Sequence, residues 1–182
     1  MKELSLHILD IAENSVTAGA TKIEISVIEN LNKDELIITI QDNGKGMDAE
    51  KLKNIADPFI TSRTTRKVGL GIPFLKAAAE ACEGGLEIKS EKGIGTKIEV
   101  RFKYSHIDRM PLGDLKSTWL NLLIGYPEVN WVLDYSVNTN TFSLDDKPIK
   151  EVLKEISLSD PQVIGYLKNE IANGFDSVNN IK

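Results

Sequence analysis

Two spacings of apolar residues divide this chain into elements. Over residues 3–16, Leu4, Ile8, Ile11 and Ser15 trace one stripe at helical spacing, and Leu6 and Leu9 widen it. Gly19 supplies a stop signal behind that helix. Residues 21–29 then alternate through Ile23, Ile25 and Val27, and residues 36–41 through Leu36, Ile38 and Ile40, with Ile37 blurring the period. The polar run 30–34 between them is turn chemistry, so an antiparallel pair is expected. Asp48 reads as the N-cap of a helix. Gly69-Leu-Gly opens another, with a stripe through Leu70, Phe74, Leu75, Ala78 and Ala81, closed by Gly84-Gly85. Residues 86–90 and 97–102 alternate as two more strands.

The composition shifts near Lys103, and residues 104–111 read as a connector that includes His106. Beyond it the pattern predicts a helix over 112–124 with Asp114 near its start, then a hairpin of strands 129–137 and 141–144. Two short helices follow over 148–156 and 161–172, each with proline near its start, and Asp160 caps the second. Trp119, Tyr126, Trp131 and Tyr135 are the candidate core of this second part. Two domains are expected, 1–103 and a small α+β module over 104–182.

Composition narrows the function classes. A chain of 182 residues with 41% hydrophobic and 27% charged residues can bury a core. A net charge of -5 argues against non-specific nucleic-acid or anionic-membrane binding. The single cysteine, Cys82, excludes an internal disulfide, and with two histidines is too little for an ordinary zinc site. No apolar run approaches membrane-spanning length and the first residues carry no signal-peptide pattern, so a cytoplasmic protein is expected.

The chemistry concentrates at strand and helix ends. Asp42-Asn43-Gly44-Lys45-Gly46-Met47 follows an apolar strand: a carboxylate there can accept from an exocyclic amine, and glycines let backbone come close. The same Asn-Gly pair is also a strong hairpin signal. Asp10 and Asn14 share a helix face one turn apart. They can serve as a base and a neutral oxygen donor to magnesium, or as a solvated helix edge. Residues 57–68 combine hydroxyls with Arg63, Arg66 and Lys67, as a lid over phosphates or a surface loop would. Free amides at the helix start beyond Gly69 suit an anion. Residues 91–96 form a hairpin, or bring the Thr96 hydroxyl to the pocket of Asp42.

Asp10-x-x-x-Asn14, Asp42-x-Gly44-x-Gly46, Gly69-x-Gly71 and Gly93-x-Gly95-Thr96 stand in a fixed order. That order resembles the ATP-binding domain shared by gyrase, the heat-shock chaperone, histidine kinases and MutL, the GHKL superfamily, over residues 2–103. Residues 10–23 resemble the MutL version; residues 57–62 and 69–72 look more like histidine kinases and the serine kinases that act as anti-sigma factors. The resemblance implies an α+β fold of Bergerat type. This is a two-layer α/β sandwich whose mixed, mostly antiparallel sheet carries helices on one face, with the C-terminal module appended.

The resemblance also implies ATP and Mg2+ as ligands. Asn14 would hold the metal, and Asp42 would read the adenine amine with Thr96 and a water. Gly44 and Gly46 would shape the pocket, and Met47 would pack on the base. Thr61, Ser62 and Arg63 would belong to the lid, whose Arg63, Arg66 and Lys67 make a cationic rim. Gly69, Leu70 and Gly71 would give amides to the phosphates, and Asp10 would act as base where relatives usually carry glutamate. Asp10 is one methylene short, Thr17 stands where kinases often have lysine, and a helical hairpin with a phosphorylatable histidine ahead of the first motif is not expected. His7 is assigned to packing. The functions implied are phosphoryl transfer to a separate protein, an ATP-hydrolysing switch resembling MutL, or a nucleotide sensor without turnover. The partners expected are a protein client or phosphoacceptor and a second copy of the chain.

Overall fold

The computed structural model describes residues 3–55, 71–154 and 156–179. The expected lid, with Thr61, Ser62, Arg63, Arg66 and Lys67, and the motif residues Gly69 and Leu70 lie outside them.

The elements follow in the order α1 (Leu4–Thr17), β1 (Lys22–Asn30), β2 (Glu35–Asp42), α2 (Ala49–Ile55), α3 (Gly71–Ala81), β3 (Gly85–Glu91), β4 (Gly95–Lys103), α4 (Leu115–Gly125), β5 (Asn130–Val137), β6 (Asn140–Asp145), α5 (Asp146–Leu153) and α6 (Pro161–Asn179). The strands form one six-stranded sheet in the order β3-β4-β2-β1-β5-β6. Every pairing is antiparallel except β1 with β5, which is parallel. The expected mixed, mostly antiparallel sheet is therefore present.

Alternation sorts the strand side chains by face. Ile23, Ile25 and Val27 of β1, Leu36, Ile38 and Ile40 of β2, Ile98, Val100 and Phe102 of β4, and Trp131, Leu133 and Tyr135 of β5 are all buried. Their neighbours Glu24, Ser26, Thr39, Gln41, Lys97, Glu99, Arg101 and Asp134 remain wholly or partly exposed. One face thus takes the helices and the other meets solvent. On α1 the stripe Leu4, Ile8, Ile11 and Ser15 is buried as expected. On α3 the stripe is shifted: Ile72, Leu75 and Ala79 are buried, whereas Phe74 is 58% exposed and Ala81 faces solvent. Two of the expected stripe positions were therefore one helical step off the packed face.

Among the described residues, those after 104 build no sheet of their own. β5 lies beside β1, with Ile25 opposite Leu133, and β6 forms the far edge. Trp119 sits 5.1 Å from Phe175, and Tyr135 stacks on Phe175 at 4.3 Å, so the expected aromatic core packs under the same sheet. α6 continues to Asn179, past the expected end at 172, because Gly174 accommodates Phe142: a Cβ there would lie 2.3 Å from its ring. α5 starts two residues before the expected Pro148, with Asp145 as its N-cap. Asp146 is buried and accepts from the Trp131 amide at 2.9 Å and Asn130 Nδ2 at 3.0 Å, with Lys150 Nζ 2.6 Å from its other oxygen. These bonds turn the chain inward from β6 toward the start of β5.

Candidate nucleotide-binding site

A cavity of about 250 Å3 opens between α1, the 42–47 loop, the end of α2, the start of α3 and the start of β4. Ile11, Met47, Ile55, Ile72 and Ile98 give it apolar walls, and Asn14, Ser15, Thr17, Asp42, Lys45 and Thr96 give it polar points. Small-molecule clefts span roughly 300–1,000 Å3, so this volume suits the flat base end of a nucleotide better than the whole of one.

Asp42 ends β2 directly opposite Thr96 of β4, which is how a carboxylate and a hydroxyl far apart in sequence reach one spot. The carboxylate is fixed from two sides. Ser15 Oγ donates to Oδ2 at 2.7 Å and the Gly44 amide donates to Oδ1 at 2.9 Å. Each oxygen keeps a further lone pair for a ligand donor. Asn43 does not make a hairpin here. Its Oδ1 accepts from the Thr21 and Lys22 amides, both at 2.9 Å, and ties the loop to the start of β1.

The glycines serve backbone-to-backbone approach. A Cβ on Gly46 (φ +59) would lie 1.9 Å from the Glu91 carbonyl oxygen, and one on Gly95 (φ +142) 2.0 Å from the Asp42 carbonyl oxygen. On Gly44 it would lie 3.0 Å from the Ala18 oxygen. The Lys45 amide donates to Ala18 O at 3.0 Å, and the Gly93 amide to Lys45 O at 2.8 Å. Thus the turn after α1, the 42–47 loop and the β3–β4 hairpin are laced together, and that hairpin both turns the chain and carries Thr96 into the pocket. Ser90 completes the lacing: its Oγ accepts from the Met47 amide at 2.9 Å and lies 2.9 Å from Thr96 Oγ1.

Asn14 lines the cavity from α1. Asp10, one turn earlier and half-buried, is not among the lining residues. Gly71 is buried as the first residue of α3, and Asp48 caps α2 by accepting from the Lys51 amide at 2.9 Å. Among the described residues no group of three or more His, Cys, Asp or Glu is placed to hold a metal ion. A neutral amide oxygen such as Asn14 fits magnesium, which keeps most of its waters. Ser15, Ser90 and Lys45 were not expected at the site. Ser15 had a readable signal, a hydroxyl on an otherwise apolar stripe; Ser90 had none.

His7 is buried beside the Gly71 backbone, with no partner for Nδ1 among the described residues. Burial pushes its pKa below the usual 6.5, partly offset by Asp10 and a hydrogen bond to the Gly71 backbone. The unfolded chain therefore takes up a proton near 6.5 that the folded chain refuses. Stability present above that pH is lost as pH falls below it. Thermal unfolding of wild type at pH 7.5 and 5.5 is expected to show a larger drop than in His7→Gln; equal drops would remove this role.

A family model described as histidine kinase-, DNA gyrase B- and HSP90-like ATPase matches residues 2–106. Sensor protein kinase FleS of Pseudomonas aeruginosa is 36% identical over 89 residues, 49% of this chain and 22% of FleS. Autoinducer 2 sensor kinase/phosphatase LuxQ of Vibrio cholerae is 28% identical over 114 residues, 60% of this chain and 13% of LuxQ. The chain thus matches less than a quarter of the length of either kinase. Among solved structures, the Aquifex aeolicus MutL ATPase domain complexed with ADP has a TM-score of 0.51 at 17% identity, covering 85% of this chain and 70% of that one. The N-terminal domain of a DNA repair protein has a TM-score of 0.55 at 13% identity, covering all of this chain and 58% of that one. Among the described residues no helix is long and apolar enough to cross a membrane. With its strand order, its converging motifs and a family match over more than half its length, this chain belongs to the histidine kinase-, DNA gyrase B- and HSP90-like ATPase family.

Proposed function

We propose that the chain binds Mg-ATP in the Asp42 cavity and passes the γ-phosphoryl group to a separate protein. The observation that carries the nucleotide-binding part of this reading is the doubly anchored Asp42 carboxylate facing Thr96 in an apolar-walled cavity, and the similarity to the sensor kinases FleS and LuxQ supports the transfer. Asp42 accepts from the adenine amine, Thr96 adds a hydroxyl beside it, and Met47 with the isoleucines packs on the base. Asn14 holds magnesium through its amide oxygen, and the metal when bound neutralises charge on the phosphates. The family resemblance assigns the same phosphates to the amides of Gly69, Leu70 and Gly71 and the lid to Thr61, Ser62 and Arg63, of which only Gly71 is among the described residues. Asp10 takes the proton from the acceptor.

One observation favours a second reading, an ATP-hydrolysing switch resembling MutL. The solved structures match across 85% and 100% of this chain, beyond the end of the family match at residue 106. In that reading Asp10 takes a proton from water, and the lid and the C-terminal elements change a partner contact. A sensor that never turns ATP over is the limit in which Asp10 falls short of its target.

Labelled ATP with magnesium separates these readings. Transfer predicts label on a co-purified protein, and hydrolysis predicts free phosphate. In both, Asp10→Ala is expected to slow the chemistry roughly a hundredfold or more with binding kept, the usual worth of a positioned base. Asn14→Ala is expected to lose the magnesium dependence of binding. Turnover unchanged in both variants would end the catalytic assignment.

A further inference from the structure

The two edges of the sheet are built differently. The β3 edge carries Glu87, Lys89 and Glu91, and the first two side chains are 63% and 70% exposed. Charges of this kind discourage strand addition. The β6 edge reads Asn140-Thr-Phe-Ser-Leu-Asp, with one charge, no lysine and no proline. Its pairing with β5 runs one-to-one without a bulge.

The free backbone groups on that edge can be located. Val137 and Asn140 pair across the two-residue turn Asn138-Thr139, so they form a hydrogen-bonded pair. Alternation along an antiparallel ladder then turns the N–H and C=O of Thr141 and Ser143, and the N–H of Asp145, away from β5. None of these groups has a partner among the described residues. The strand is packed on its inner face and its edge is left open among the described residues. Phe142 seats against Gly174 and Leu144 is buried, while Asp146 draws α5 back toward Trp131 instead of letting it run alongside β6.

We propose that β6 pairs antiparallel with β6 of a second copy of this chain, centred on Ser143, so that one sheet runs through both. Strand faces are preserved about such an axis, and the outward groups of Ser143 meet those of its symmetry mate. Thr141 then faces Asp145 of the copy, and Phe142 faces Leu144. Asp145 accepts from Asn130 Nδ2 and the Lys147 amide through Oδ1, which leaves Oδ2 for the Thr141 hydroxyl. No like charges stand opposite one another. The pairing is independent of the nucleotide reading, since β6 lies three strand spacings from β2, about 14 Å.

Light scattering on the full chain across micromolar concentrations tests this, with thermal unfolding and nucleotide binding as controls. Wild type is expected at twice the monomer mass at the upper end. Ser143→Pro removes an amide that points to solvent in the monomer, which edge strands tolerate. It is expected to give a monomer with the melting behaviour of wild type. Ser143→Lys keeps the amide and sets two like charges face to face on the axis, so it reports even if the proline variant misfolds. Ser143→Cys is expected to cross-link to itself under mild oxidant while Thr141→Cys does not, and the native Cys82 is buried. A monomeric wild type, or a dimer unchanged in Ser143→Lys with no cross-link through Ser143→Cys, would overturn the proposal whatever the nucleotide result.

Discussion

Asp42→Asn is expected to weaken ATP binding by roughly a hundredfold, about 3 kcal/mol, in a calorimetric titration with magnesium present. The variant keeps the size and shape of the side chain, so the change is one of hydrogen-bond sense. Its amide oxygen can still accept from the Gly44 amide, as Oδ1 does at 2.9 Å. The amide nitrogen must then take the place of Oδ2, where Ser15 now donates at 2.7 Å. Ser15 can rotate and accept instead, so the fold survives. A ligand amine cannot reverse in the same way: a charge-assisted bond is replaced by two donors facing each other. Selectivity for adenine over hypoxanthine, which carries a carbonyl at that position, is expected to fall or invert. Ser15→Ala leaves the charge and frees Asp42 to turn, and a loss of about tenfold is expected from the poorer positioning. If Asp42→Asn binds ATP as tightly as wild type, the base does not sit in this cavity.

Much of this arrangement was legible because its signals are local. The α1 stripe, the β1–β2 alternation and the Asp48 and Asp160 caps each need only a few neighbouring residues, and each is present. The order of the motifs placed Asp42, Thr96, Gly46 and Met47 together, and the structure brings them to one cavity with Asn14. What could not be read depends on partners distant in sequence. Nothing in residues 130–137 says that they will lie parallel to β1, because every residue of a half-buried strand looks alike whichever neighbour it finds. Gly174 argues locally for a helix end, yet the Phe142 ring makes it the residue that fits inside α6. Ser90 shows the same limit at the site. Its hydroxyl matters only because Met47 and Thr96 arrive beside it from separate segments.

Gly46→Ala is expected to abolish nucleotide binding and to lower stability by about 2–3 kcal/mol, read by denaturant unfolding. Two costs add there. A left-handed φ of +59 disfavours any Cβ, and the new atom would sit 1.9 Å from the Glu91 carbonyl oxygen, which is backbone and cannot rotate aside. The 42–47 loop and the β3–β4 hairpin must separate, and with them go the bond from Met47 to Ser90 and the alignment of Asp42 with Thr96. Gly93→Ala isolates the first cost from the second. Its φ is +82 but nothing lies within 4 Å of an added Cβ, so only the conformational penalty of about 1 kcal/mol is expected, with nucleotide binding intact. Gly95→Ala should resemble Gly46→Ala, because its Cβ would press within 2.0 Å of the Asp42 carbonyl oxygen, on the very residue that reads the base. Should the Gly46 and Gly93 variants lose binding and stability to the same small extent, close backbone approach is not what these glycines provide, and the cavity must be held open by other contacts.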